Sequence, residues 1–255
     1  MSSPKQIIPA FYNGNLSEPE TEPFLRVAEF YCDTIQGEGI NIGQAASFLR
    51  LQNCSLNCMW CDTQEVWRKG NPYTFNELFE LIDKYGLVRK WQQGQHLVIT
   101  GGSPLLQKEA LYLFIEALID RYHFKPYIEV ENECVITPQK ELLDYIDCWN
   151  NSPKLTNNGM AQKVRYKPDT IKFMSSLSNS WFKFVITDPG EWIEINEFYL
   201  APKIVKREQI ILMAEGDTLH AQLENREKVI SLAIDQGVRY TDRLHILLWD
   251  KKTGV

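Results

Sequence analysis

Apolar and polar positions fall into two alternating patterns along the chain. Short apolar runs bounded by turn residues predict strands, and apolar residues spaced three and four apart predict helices. The strand-like runs are Leu25–Cys32, Ala45–Leu51, His96–Thr100, Pro126–Glu131, Asp147–Asn150, Trp181–Ile186, Gln209–Met213 and Leu244–Trp249. Helical spacing lies between them. Leu78, Leu81, Ile82 and Tyr85 follow a Thr74-Phe-Asn-Glu77 capping box, and Leu111, Phe114, Ile115, Leu118 and Tyr122 share one face of Lys108–Tyr122. Further helices are predicted from Thr137-Pro138 through Tyr145, over Pro168–Met174, between Glu191 and Leu200, and over Thr218–Gln236 with Gly237 as its C-cap. Strand and helix alternate over most of the chain. That order predicts an α/β fold with a parallel sheet, open or closed into a barrel. Residues 1 to 24 are rich in Pro, Ser, Glu and Asn without periodicity. They are expected to form an irregular extension ahead of one domain over residues 25–255.

Several residues break these patterns. Ala45–Leu51 alternates, with Phe48 and Arg50 on one face and Leu49 and Leu51 on the other. Arg50 ends a core strand, where a guanidinium calls for an anion, either an internal carboxylate or a ligand. Gly101-Gly102 directly follows the His96–Thr100 run, and a glycine pair at a strand's C-terminal end lets the backbone approach a ligand closely. Asp33–Gly39 (DTIQGEG) is turn-like for the same reason. Parallel sheets bind ligands at the C-terminal ends of their strands. Arg50, the loop after Leu51, Gly101-Gly102 and Ser152-Pro153-Lys154 all belong to that edge.

Composition narrows the class. The 255 residues are 44% apolar and 24% charged, enough for one sizeable core. A net charge of −6 argues against a nucleic-acid partner. No apolar run reaches membrane-spanning length, so no membrane association is expected. The stretch MSSPKQIIPAFYNGN lacks the apolar core of a secretory signal. Six cysteines, three of them clustered, suit a reducing cytoplasm and a metal site better than a disulfide framework. Cys32, Cys134 and Cys148 stand apart and read as small core residues.

The clustered three are Cys54, Cys58 and Cys61, in C-x3-C-x2-C spacing just past the Ala45–Leu51 strand. The spacing alone admits an iron–sulfur site, part of a zinc knuckle, or three buried thiols. Structural zinc usually takes four ligands, and no histidine lies nearby to be the fourth. A [4Fe-4S] cluster held by three thiolates keeps one iron open. This spacing, with the aromatic Trp60 before the last cysteine, is the signature of the radical S-adenosylmethionine (SAM) enzymes, which the chain resembles.

Longer strings narrow the resemblance. Thr34–Gly39 (TIQGEG), Phe48–Cys54 (FLRLQNC), Cys54–Thr63 and Ile99–Gln107 (ITGGSPLLQ) together resemble the 7-carboxy-7-deazaguanine synthases, well over residues 30 to 110 and more loosely beyond. The resemblance implies a shortened, partial radical SAM barrel. It also implies conversion of 6-carboxy-5,6,7,8-tetrahydropterin to 7-carboxy-7-deazaguanine with loss of ammonia, on the route to queuosine-type bases. The implied cofactors are a [4Fe-4S] cluster, SAM and Mg2+. The implied partners are a second copy of the chain in a homodimer and a reductase or flavodoxin-type electron donor.

By position, the resemblance makes Cys54, Cys58 and Cys61 cluster ligands and Thr63 a Mg2+ ligand. Trp60, Cys61, Asp62, Gly102, Ser152, Pro153 and Lys154 would contact SAM. Ile35, Gln36, Gly37, Arg50 and Thr100 would contact the pterin, Arg50 through its carboxylate. Ser103 departs from the family, which commonly has Gly-Gly-Glu-Pro where this chain has Gly-Gly-Ser-Pro. The missing glutamate usually meets SAM's ammonium, and Glu131 is a candidate replacement. His96, His123 and His220 read as structural or surface residues; His245 reads the same way, with a place near the pocket edge. A glycyl-radical activating enzyme shares the cysteine spacing but has no need of the TIQGEG loop or Arg50.

Overall fold

The computed structural model describes residues 4–11 and 17–252. Its strands are β1 (Lys5–Ile8), β2 (Phe24–Ile35), β3 (Ala45–Leu51), β4 (Asn71–Thr74), β5 (His96–Gly101), β6 (Tyr127–Asn132), β7 (Cys148–Asn151), β8 (Ser180–Ile186), β9 (Ile210–Ala214) and β10 (Arg239–Thr241). The helices are α1 (Gln64–Trp67), α2 (Phe75–Lys84), α3 (Leu87–Gln92), α4 (Lys108–Tyr122), α5 (Lys140–Leu143), α6 (Gln162–Arg165), α7 (Pro168–Ser176), α8 (Trp192–Ile195), α9 (Leu219–Gln236) and α10 (Leu244–Trp249).

All ten strands belong to one open sheet of order β1-β2-β3-β5-β6-β7-β8-β9-β10, with β4 paired to β2. From β3 to β10 the pairings along this order are parallel. Each new strand adds on the same side, as in a barrel that does not close. β1, β2 and β4 form an antiparallel margin. No helix among the described residues is long and apolar enough to cross a membrane.

The two sheet faces are chemically distinct because side chains alternate along each strand. Leu49, Leu51, Leu97, Ile99, Ile128, Val130, Trp149, Phe182 and Phe184 belong to the main core, together with helix residues such as Leu78, Leu111, Phe114 and Val229. Each fully buried side chain of this kind contributes about 1.5–3 kcal/mol. The opposite face carries a small apolar patch of Tyr31, Ala46, Phe48 and Val98. Tyr31 and Phe48 stack there at 5.1 Å. Beyond the patch that face turns polar, with Arg50 opposite Thr100 and Glu131 opposite Asn150 in the ladders. The alternation read from Ala45–Leu51 therefore holds.

Local signals set the helix ends. Thr74 Oγ1 accepts from the Glu77 amide (3.2 Å) and Glu77 Oε2 accepts from the Thr74 amide (2.7 Å), which completes the capping box. Gly237 closes α9 at φ 62°, a left-handed conformation natural to glycine.

Four expectations need correction. The stretch expected to be irregular contains β1, which pairs antiparallel with β2. The first long strand extends to Ile35, with Asp33 at φ 61° marking an irregularity in its pairing with β3. The helix expected through Tyr145 shrinks to Lys140–Leu143. Leu244–Trp249, expected to be the last strand, is the helix α10. The edge of β9 is already taken by Arg239–Thr241, and an apolar run this short does not distinguish strand from helix by pattern.

Candidate active site at the C-terminal edge of the sheet

The loops leaving β3, β5, β6 and β7 surround one cavity. Of the residues expected in the site, Ile35, Gln36, Gly37, Arg50, Cys54, Cys58, Trp60, Cys61, Asp62, Thr63, Thr100, Gly102, Ser152 and Lys154 all line it. Pro153 is not on the wall. The chain brings these residues together across more than a hundred positions because sequential parallel strands put all their following loops on one edge.

Each sulfur of the clustered cysteines accepts one N–H bond. Cys54 Sγ accepts from the Leu56 amide, Cys58 Sγ from Asn158 Nδ2 and Cys61 Sγ from Trp67 Nε1, each at 3.4 Å. Donors around sulfur stabilise thiolate and tune an iron–sulfur centre. Among the described residues no three His, Cys, Asp or Glu side chains converge on one metal-ion position. Three thiolates that each bond a different iron need no such convergence, so the donor set suits a [4Fe-4S] cluster better than a single zinc. Burial pushes the Cys54 thiol up, with hydrogen bonds from Ser103 and Leu56 in opposition. All six cysteines are free. Cys134 and Cys148 are buried thiols whose pKa burial pushes well up, as befits packing residues.

The glycine pair has a different reason from the one expected. A Cβ on Gly101 would meet Leu51 O at 2.5 Å, and one on Gly102 would meet Asn53 O at 2.3 Å and Cys54 Cβ at 2.5 Å. The close approach is between the two loops themselves. The Ser103 amide donates to Asn53 O (2.8 Å), which stitches the Gly-Gly loop to the cysteine loop. Ser103 is fully buried behind the wall.

Around the expected pterin contacts the groups are paired in advance. Arg50 Nε donates to Glu29 Oε1 at 2.7 Å, so the internal carboxylate exists and both residues line the cavity. Glu131 accepts from Gln36 Nε2 (3.1 Å) and Thr100 Oγ1 (2.9 Å), one bond on each oxygen. Trp60 donates to Asn157 Oδ1 (3.2 Å), and the Lys154 ammonium lies 5.4 Å from the Trp60 ring centre. Lys154 also donates to Ser152 Oγ (2.8 Å).

The C-terminal half supplies a wall that sequence reading missed. Glu38 bonds Lys183, and Arg243 Nε donates to Glu38 Oε1 at 3.1 Å. Arg243 Nη2 also meets Asp62 Oδ2 at 2.9 Å. Burial works to raise the Glu38 carboxyl, but Lys183, Arg243 and His245 outweigh it and hold the group well below its ordinary value. Burial also raises Asp62, and Arg243 reverses that. His245 lines the cavity, and burial pushes its imidazole below 6.5. Gly37 has no room for a side chain, because a Cβ there would lie 2.1 Å from His245 Nδ1. The other histidines are structural or exposed, as expected. His96 bonds Glu129 (2.5 Å), His123 ends α4 at φ 49°, and His220 pairs with Glu224 on the surface. The nearest signal for this wall was the TIQGEG loop itself, whose Glu38 is a carboxylate between two glycines.

Residues 49–147 match the radical SAM superfamily. The chain is 32% identical to the 7-carboxy-7-deazaguanine synthase of Pyrobaculum aerophilum over 91% of this chain and 98% of that protein. It is 29% identical to the enzyme of the same name from Bacillus subtilis, over 90% of this chain and 98% of that one. The crystal structure of QueE from Escherichia coli superposes with a TM-score of 0.64 at 20% identity, covering 87% of this chain and 95% of that one. The likeness to that structure is one of fold, and the sequence relatives add the family. The cysteine triad, the cavity beside it and these relatives agree that the chain belongs to the 7-carboxy-7-deazaguanine synthase family of radical SAM enzymes.

Proposed function

We propose that this chain converts 6-carboxy-5,6,7,8-tetrahydropterin to 7-carboxy-7-deazaguanine, with loss of ammonia, as a radical SAM lyase in 7-deazapurine biosynthesis. The observation that carries the reading is the single cavity in which the three clustered cysteines face Arg50, Thr100 and Gln36. The chemistry supplied by the bound cluster and SAM is hydrogen-atom abstraction by a 5′-deoxyadenosyl radical.

The chain's own residues bind and position. Cys54, Cys58 and Cys61 hold the cluster. Trp60, Asp62, Gly102, Ser152, Pro153 and Lys154 shape the SAM site, Pro153 through its place in the loop rather than on the wall. Arg50, kept in place at Nε by Glu29, receives the substrate carboxylate. Gln36 and Thr100 are oriented by the same carboxyl group, Glu131, and with Ile35 and Gly37 they fix the pterin ring. Thr63 lines the cavity and would hold Mg2+ through its hydroxyl, the oxygen type of ligand that ion favours. Such placement is what a radical step needs most, since it holds the reacting hydrogen in line and keeps water out. The whole of residues 25–255 forms one catalytic unit. A homodimer and a reductase or flavodoxin-type donor in the cytoplasm complete the reading, on the strength of the family resemblance.

The test is turnover. The protein is reconstituted anaerobically with iron and sulfide, then supplied with SAM, Mg2+, a reductant and the tetrahydropterin. The expected product is 7-carboxy-7-deazaguanine by mass. Formation of 5′-deoxyadenosine without it would point to another substrate, such as the protein partner of an activating enzyme. Tightly bound zinc with no iron after anaerobic purification would overturn the enzyme reading.

A further inference from the structure

One acid on the cavity wall is left without a counterpart. Glu133 lies just beyond the end of β6, is only 4% exposed, and lines the cavity. Its Oε1 accepts from Ser55 Oγ at 2.6 Å. Its Oε2 is buried with no hydrogen-bond partner. The neighbouring acids each have a cation or a bond to both oxygens, although Glu29 Oε2 is, like Glu133 Oε2, buried without a hydrogen bond. Glu29 has Arg50, Glu38 has Lys183 and Arg243, Asp62 has Arg243, and both oxygens of Glu131 are bonded. Glu133 has no ion pair among the described residues. A buried carboxyl oxygen without a donor is costly, and such a cost persists in native structures where a ligand relieves it.

Its position says which ligand group that is. Ser103 Oγ donates to Ser55 Oγ (3.1 Å) and lies 3.4 Å from Cys54 Sγ. Glu133 is thus two hydroxyls away from a thiol assigned to the cluster. Ser103 itself cannot serve a ligand, because its hydroxyl is fully buried and engaged by the Ser55 amide (2.9 Å) as well. Glu131, the candidate replacement read from the sequence, already accepts from Gln36 and Thr100, one bond on each oxygen, whereas Glu133 Oε2 accepts none. Of the groups that SAM offers beside the cluster, only the amino group is a hydrogen-bond donor.

We propose that Glu133 is the SAM-binding acid of this chain, with its Oε2 accepting from the α-amino group of SAM. The role falls to the end of β6 because position 103, where the family commonly has glutamate, holds a serine turned inward. The proposal rests on the radical SAM reading above.

The experiment is a titration of the reduced, reconstituted protein with SAM and separately with S-adenosylhomocysteine, followed by electron paramagnetic resonance of the cluster. Glu133→Gln keeps the acceptor for Ser55 and removes the charge. It is expected to weaken both ligands by about tenfold or more, at unchanged iron content per chain. Glu133→Asp should fall between it and the wild type. The melting temperature of ligand-free Glu133→Gln should be no lower than the wild type's, because a purely structural acid would lose stability instead. SAM affinity within twofold of wild type in Glu133→Gln would overturn the assignment. So would a loss confined to SAM, which would place the carboxylate against the sulfonium rather than the amino group. A wild-type cluster whose spectrum ignores SAM would be a different failure, that of the synthase reading itself and everything built on it.

Discussion

The two sides of the cavity are built on opposite plans. The cysteine side is local: Cys54, Cys58 and Cys61 sit within one loop, stitched to the neighbouring Gly-Gly loop by the Ser103 amide and the Ser103 hydroxyl. The far side is made of ion pairs between distant parts of the chain. Glu38 meets Lys183 from 145 residues away and Arg243 from 205. The local side offers sulfur and backbone to a cofactor. The distant side is a charged clamp that ties α10 to the TIQGEG loop. The difference suggests that chemistry is carried by the side that a short string encodes, whereas closure of the cavity is carried by the side that only the fold assembles.

The largest expected effect is on the local side. Cys58→Ala should abolish cluster assembly, seen as lost iron and lost visible absorbance, and abolish activity, while circular dichroism stays native. Loss of the fold would instead mean that the cysteine loop is structural. On the distant side, Arg243→Ala should leave Glu38 and Asp62 facing each other with one cation fewer. Removing one partner from a buried ion network typically destabilises by about 3–5 kcal/mol. Urea denaturation would measure it, and a change below about 1 kcal/mol would show that the clamp does not hold α10.

Arg50→Ala sharpens the contrast within the cavity. It should weaken binding of the tetrahydropterin by about tenfold or more and leave SAM within about twofold. Equal losses for both ligands would remove Arg50 from the carboxylate role. The smallest effect is a graded one with pH, and it belongs to the clamp. His245 is depressed by burial below 6.5, so its stabilising neutral form is favoured above that value and stability falls as pH drops below it. Glu38 is depressed by Lys183 and Arg243, which outweigh burial. Its contribution is complete above about 4.5 and is lost as pH falls further. Both effects have the same sign, so melting temperature should decline on acidification in two stages, and Glu38→Gln should shrink the lower one, to which Asp62 also contributes.

The same division explains what could be read from the sequence. The strand-and-helix order, the capping box, the Gly237 cap and the cysteine loop are written in neighbouring residues and were legible. The cavity edge followed from topology, which gathers every post-strand loop of a sequential parallel sheet. α10 was misread because LHILLW is too short to show its period, and β10 was missed because Arg239–Thr241 is three residues with one buried. Arg243 and Lys183 gave no signal, since an isolated basic residue reads as surface until a fold buries it against an acid. Glu131 was legible at the end of a predicted strand, and Glu133, two residues on, carried no signal of its own. That Glu133 has no ion pair is visible only in the side-chain geometry.

The bond from Asn158 to Cys58 also carries a consequence for how the protein is made. The two residues are 100 positions apart, so Cys58 leaves the ribosome well before its donor exists. At about 5–20 residues per second that interval is roughly 5–20 s. Throughout it Cys58 lacks the amide that donates to it in the folded chain, although the three sulfurs themselves are already made. The sulfur set is therefore local and early, whereas the hydrogen bonding around Cys58 is completed only once the segment after β7 is in place.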